Sequence, residues 1–129
     1  MAEKFKLDEF FAALADRTRL RLLNLMCGGE VCVCFFAETL GTNNPKISRH
    51  LSYLKRAGLV ERRRDGKWTH YSLKKPADPQ AAEIFETLLK TFETDEEMTA
   101  DRENLVSVCC APRDSAPVSI ERIRELAAP

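Results

Sequence analysis

Cys32 and Cys34 carry the sharpest chemistry in this chain: two thiols one residue apart, in the run Glu30-Val31-Cys32-Val33-Cys34. Thiolates are soft donors and select soft acceptors such as As(III), Sb(III), Cd(II) or Pb(II) over magnesium or calcium. The thiolate is the binding species, and a helix start favours negative charge. Phe35 to Leu40 extends a helix that begins at about Cys34, so the pair stands at a helix N-terminus. Residues i and i+2 of an ideal helix point roughly 200° apart. Both thiols can therefore grip one ion only if the first turn is unwound or Cys32 lies outside the helix. Either way, coordination distorts the helix they open.

That helix must position the next one. Gly41 supplies a sharp turn, Asn43 or Asn44 a cap, and Pro45 sits in the first turn of a helix over about 44–57. Ile47, Leu51 and Leu54 fall at i, i+4 and i+7 and point inward. Arg49, Ser52 and Arg56 lie opposite, flanked by Lys46, Ser48 and Tyr53, while His50 borders the inward stripe. Gly58 ends the helix. Residues 59–64 and 67–73 read as two strands joined by Asp65-Gly66, a strong hairpin signal. The fold class is mainly α with a two-stranded β-hairpin wing, a winged helix-turn-helix. Ser48, Arg49, Ser52 and Tyr53 are the candidates for major-groove contact, with Lys46, Arg56 and His50 near phosphate. Arg62, Arg63, Arg64 and Lys67 on the wing would meet phosphates or the minor groove.

The charge pattern agrees. The formal net charge is zero, yet residues 46–75 hold ten Lys/Arg against only Glu61 and Asp65, a local +8. Residues 76–129 carry −7 and residues 1–45 carry −1. A basic middle in an acidic frame fits a DNA-facing surface. No stretch approaches the ~20 apolar residues that cross a bilayer, and the N-terminus lacks a signal-peptide core, so a cytoplasmic protein is expected. There the five cysteines stay mostly reduced. No C-x-x-C or βαβ pattern supports a thiol enzyme, and the absence of histidine from residues 80–93 argues against a zinc site there.

The remaining elements form the body. Phe5, Leu7, Phe10, Phe11 and Leu14 predict a helix over about 6–15, and Asp16 caps a second that ends at Gly28-Gly29. Pro76 and Pro79 break the chain, and Ile84, Phe85, Leu88, Leu89 and Phe92 give the next helix a broad apolar face. One protomer has little to cover both terminal helices. A homodimer is expected through Phe10, Phe11, Leu14, Ile84, Phe85, Leu88, Leu89 and Phe92. Residues 1–94 are thus read as a DNA-binding and dimerisation domain. Residues 95–129 are read as an acidic, Cys-containing C-terminal extension, expected to be partly flexible, with a short helix at 120–126.

From Glu30 to Leu73 the chain resembles the ArsR/SmtB family of metal- and metalloid-responsive winged-helix repressors. The resemblance rests on residues 14–21 (Leu-Ala-Asp-Arg-Thr-Arg-Leu-Arg), the Cys-Val-Cys run, Pro45-Lys46-Ile47-Ser48-Arg49-His50-Leu51, residues 54–60, and Gly66-Lys67-Trp68 with Tyr71. It is strongest to the arsenic- and antimony-responsive branch. It implies a homodimeric repressor on an operator overlapping its own promoter, released when As(III) or Sb(III), the inducer, binds Cys32 and Cys34, with no organic cofactor. In that branch a third cysteine often lies three residues after the second, where this chain has Ala37. Trivalent arsenic prefers three thiolates, so Cys109 and Cys110 are additional candidate ligands, with Cys27 behind them. A Cd(II)/Pb(II)-responsive or thiol-redox-responsive repressor on the same fold is the alternative.

Overall fold

Short polar caps set the helix starts. The computed structural model describes residues 5–109. Helix α1 spans Leu7–Leu14 and α2 spans Arg17–Leu25. The Asp16 carboxylate accepts the Arg19 amide at 3.0 Å, as its N-cap position predicts. A 3-10 turn, Met26–Gly28, follows α2, and Gly29 takes a φ of 127° that redirects the chain. Strand β1 is Val31–Cys32, and α3 is Cys34–Leu40. Gly41, at φ 67°, ends α3 in the left-handed conformation and forms the turn into α4, Asn44–Arg56. The Asn43 side chain accepts the Lys46 amide at 3.0 Å, and Pro45 sits in the first turn.

The wing consists of β2 (Val60–Asp65) and β3 (Trp68–Leu73). Two features differ from the sequence reading. First, Asp65 pairs with Trp68, so the two-residue loop is Gly66-Lys67 rather than Asp65-Gly66. Gly66 has φ 60° and no non-glycine residue has a positive φ among the described residues, which matches a turn with glycine first. Second, β1 joins the hairpin, giving a three-stranded antiparallel sheet in the order β1-β3-β2. Val31 faces Tyr71 and Cys32 faces His70.

Helix α5 is Pro79–Thr91. Pro79, expected only as a breaker, occupies its first turn, where the missing amide proton costs nothing, and Asp78 caps it through the Ala81 amide at 3.0 Å. Residues 96–109, read from sequence as the start of the acidic extension, form α6 (Glu96–Cys109), which packs on α2 and α3. Met98, Leu105 and Cys109 from α6 enter the same apolar core as Leu22, Phe35, Phe36, Ile47, Leu51 and Leu54. The expected helix at 120–126 and Cys110 lie outside the described residues. Among the described residues, no helix is long and apolar enough to cross a membrane.

Candidate thiol site and nucleic-acid interface

The sequence left two ways for Cys32 and Cys34 to share an ion, and the structure takes the second. Cys32 lies in β1, outside the helix, and Cys34 is the first residue of α3. The bend at Val33 brings the sulfurs to 3.2 Å. Cys32 is fully buried and Cys34 is exposed, so the pair runs from the core to the surface. Thiolate bonds to a soft ion are ~2.3 Å long, and two such bonds close on this pair at roughly a right angle.

The other thiols stand apart. Cys27 hydrogen-bonds to the Leu23 carbonyl at 3.6 Å, and burial pushes its thiol up to about 11. Cys109 is buried at the end of α6, its sulfur 3.6 Å from the Val106 carbonyl. Among the described residues, no three of His, Cys, Asp or Glu converge as a metal-holding set. Cys32 and Cys34 meet each other, but Cys109 does not complete a triad with them.

Strand β1 ties the thiol pair to the wing. The Val33 amide donates to the Thr69 carbonyl at 2.9 Å. Glu30, just before β1, accepts two bonds from the Arg63 guanidinium, at 2.6 and 2.8 Å, and one of its oxygens lies 4.0 Å from His70 Nδ1. The Arg63 guanidinium is held further toward its charged form by this hydrogen-bonded carboxylate. Arg63, expected from the sequence at phosphates or the minor groove, thus also has a protein partner. Sequence reasoning gave Glu30 and His70 no such part. The available signal was the period-2 spacing of Glu30 and Cys32, which places both on one strand face.

The candidate DNA surface is α4 and the wing. Lys46, Ser48, Arg49, Ser52 and Arg56 are exposed on α4, opposite the buried Ile47, Leu51 and Leu54. Arg62, Arg64 and Lys67 are exposed on the wing, and the Lys67 ammonium lies 5.3 Å from the centre of the Trp68 ring. His50 and Tyr53 are half-buried. Arg19 explains both. Its guanidinium stacks 4.1 Å above the Tyr53 ring, lies 3.4 Å from His50 Nδ1, and donates to the Ala13 and Ala12 carbonyls at 2.8 and 3.0 Å. One side chain thus joins the end of α1 to the middle of α4. The expected dimer residues separate similarly. Phe10, Phe85 and Phe92 are packed inside the protomer, which corrects the reading that they face a partner. Phe11 and Ile84 are 47% and 41% exposed, and Leu14, Leu88 and Leu89 are half-buried.

A helix-turn-helix with basic residues exposed on its second helix, followed by a hairpin wing, is the architecture of a DNA-binding regulator. Residues 16–62 match the arsR family of bacterial regulatory proteins. The chain is 43% identical over 79 residues to the arsenical resistance operon repressor of Escherichia coli, covering 60% of this chain and 68% of that one. It is 44% identical over 75 residues to a probable mercury resistance operon repressor of Streptomyces lividans, covering 58% of each chain. A homodimeric winged helix-turn-helix DNA-binding domain from Mycobacterium bovis superimposes with a TM-score of 0.56 at 33% identity, covering 66% of this chain and 76% of that one. The chain belongs to the arsR family, and is a transcriptional regulator rather than an enzyme.

Proposed function

We propose that this protein is a cytoplasmic, metalloid-responsive repressor that binds operator DNA as a homodimer and leaves it when Cys32 and Cys34 take As(III) or Sb(III). The observation that carries this reading is the pair of sulfurs 3.2 Å apart at the joint between β1 and α3, the helix that precedes α4. Arg49, Ser48 and Ser52, with the Arg19-braced Tyr53, face the major groove. Lys46, His50, Arg56, Arg62, Arg64 and Lys67 meet the backbone. Phe11, Leu14, Ile84, Leu88 and Leu89 form the dimer surface. Cys109 or Cys110 supplies the third thiolate, from the same or the partner subunit. Recruiting Cys109 requires α6 to shift, because its thiol is packed in the core. Coordination therefore disfavours the arrangement of α3, β1 and α6 that holds α4, and ion and DNA oppose each other through their differential affinities.

A soft divalent ion such as Cd(II) or Pb(II) is the second reading. It is favoured by the likeness to a mercury resistance repressor and by the two-thiol set. The test is titration of the full chain with arsenite, Cd(II) and Pb(II), followed by thiolate charge-transfer absorption and by release of DNA from the region upstream of its gene. Cys32→Ser and Cys34→Ser should still fold, dimerise and bind DNA, yet lose arsenite-driven release. Cys109→Ala and Cys110→Ala, made separately, identify the third ligand by weakening arsenite binding. Release by Cd(II) but not arsenite would select the divalent reading. Unchanged arsenite response in both serine variants would overturn the site.

A further inference from the structure

The sheet places Cys32, His70 and Arg63 in one row. Cys32 on β1 faces His70 on β3, and His70 faces Arg63 on β2. Residues opposite one another across antiparallel strands project to the same side. Glu30 lies two residues before Cys32 and shares its face. Its carboxylate reaches past the middle strand, passing 4.0 Å from His70, and takes the Arg63 guanidinium in a two-pronged grip at 2.6 and 2.8 Å.

We propose that Glu30 and Arg63 form a strap that carries movement of the thiol strand directly to the outer strand of the wing, making Arg63 a positioning residue for the wing. This inference rests on Cys32 and Cys34 being the ion site. Backbone pairing passes a shift of β1 only to β3, its single neighbour in the sheet. The strap spans the interval that the ladder leaves. Cys32 is buried and Cys34 exposed, so drawing further donors onto this pair displaces β1, and Glu30 moves with it. A two-pronged guanidinium–carboxylate pair fixes orientation as well as distance. Its Arg63 end is about half-exposed, so it contributes little to stability, and its removal leaves the fold intact. What is lost is the rigid link between the thiol pair and the wing arginines beside Arg63.

The test is amide hydrogen exchange on the full chain without DNA, with and without arsenite, while arsenic–sulfur absorption reports binding. Wild type, Glu30→Gln, Arg63→Gln and the double variant are compared, with Arg62→Gln as a control that removes the same charge from the wing. Arsenite should change exchange of the β2 amides at 61–64 by about tenfold in wild type and in Arg62→Gln. In the Glu30 and Arg63 variants, arsenite should bind as before, but the change should stay within β1, α3 and β3. The double variant should behave as either single one. If the variants relay the change to β2 as wild type does, or if wild type binds arsenite with β2 unmoved, the strap is overturned and the ion site stands. If wild type shows no arsenic–sulfur absorption, the ion site fails and the strap with it.

Discussion

At the scale of single residues, the cysteines divide by surroundings rather than by type. Cys27 closes an apolar helix face, and burial raises its thiol to about 11, first by desolvation and then by the nearby Glu93, against the pull of Arg102. At pH 8 such a thiol is ionised in about one molecule in a thousand. Iodoacetamide should therefore modify Cys34 at least tenfold faster than Cys27, as read by peptide mass spectrometry over time. Comparable rates would contradict the burial. The closeness of Cys32 and Cys34 was legible because their spacing is local, whereas Cys27, kept in reserve as a ligand, is held by its surroundings in the fold. Glu30 was not legible in the same way. Its partner is 33 residues away, and the contact exists only because β1 pairs with β3 in one register.

At the scale of elements, α3, α4 and the wing were legible, since caps, glycines and the inward stripe at Ile47, Leu51 and Leu54 are local signals. Helix α6 was not. Its apolar residues are spaced among acids, and those acids made it look like a solvated tail. In the structure they are its anchors: Asp101 takes Arg21 at 2.7 and 2.9 Å, and Arg17 donates to Asp95 and Glu97. Asn24, fully buried in α2, donates to the Met98 carbonyl at 2.9 Å and accepts from Arg102. Arg21→Ala would leave the buried Asp101 carboxylate without its guanidinium. It should cost roughly 2–4 kcal/mol in urea unfolding, a range set below that of fully buried pairs because Arg21 is partly exposed. Asp101→Asn with Arg21→Ala should cost less than the single change. The helix start has its own pH dependence. Asp95 is held below its usual 3.8, first by the Met98 amide and then by Arg17. A carboxyl depressed on folding contributes stability above its unfolded value and loses it as pH falls through the folded one. Protection of the first α6 amides, taken relative to their intrinsic exchange rates, should therefore fall as pH drops below about 3.8, and Asp95→Asn should flatten that fall.

At the scale of the whole molecule, the neutral net charge conceals a basic stretch, residues 46–75, whose cations are exposed on α4 and the wing. Affinity for DNA should fall with log salt at a slope of several units, each neutralised phosphate adding ~0.9. Ile84→Glu places a charge on an exposed apolar position of α5. It should shift the protein to a monomer in sedimentation and weaken operator binding at least tenfold. A dimer that survives it, or an affinity indifferent to salt, would contradict the proposed assembly.

The bonds between α2 and α6 join residues 74 to 80 positions apart. Contacts at such separation form late, because the intervening chain must first be closed into a loop. During synthesis, Arg17, Arg21 and Asn24 emerge long before Asp95, Met98 and Asp101 exist to receive them. The reading head can thus acquire its local shape on the ribosome while the floor beneath the thiols is still missing. A nascent chain stalled before residue 96 would carry the helix-turn-helix and wing without the helix that completes their core.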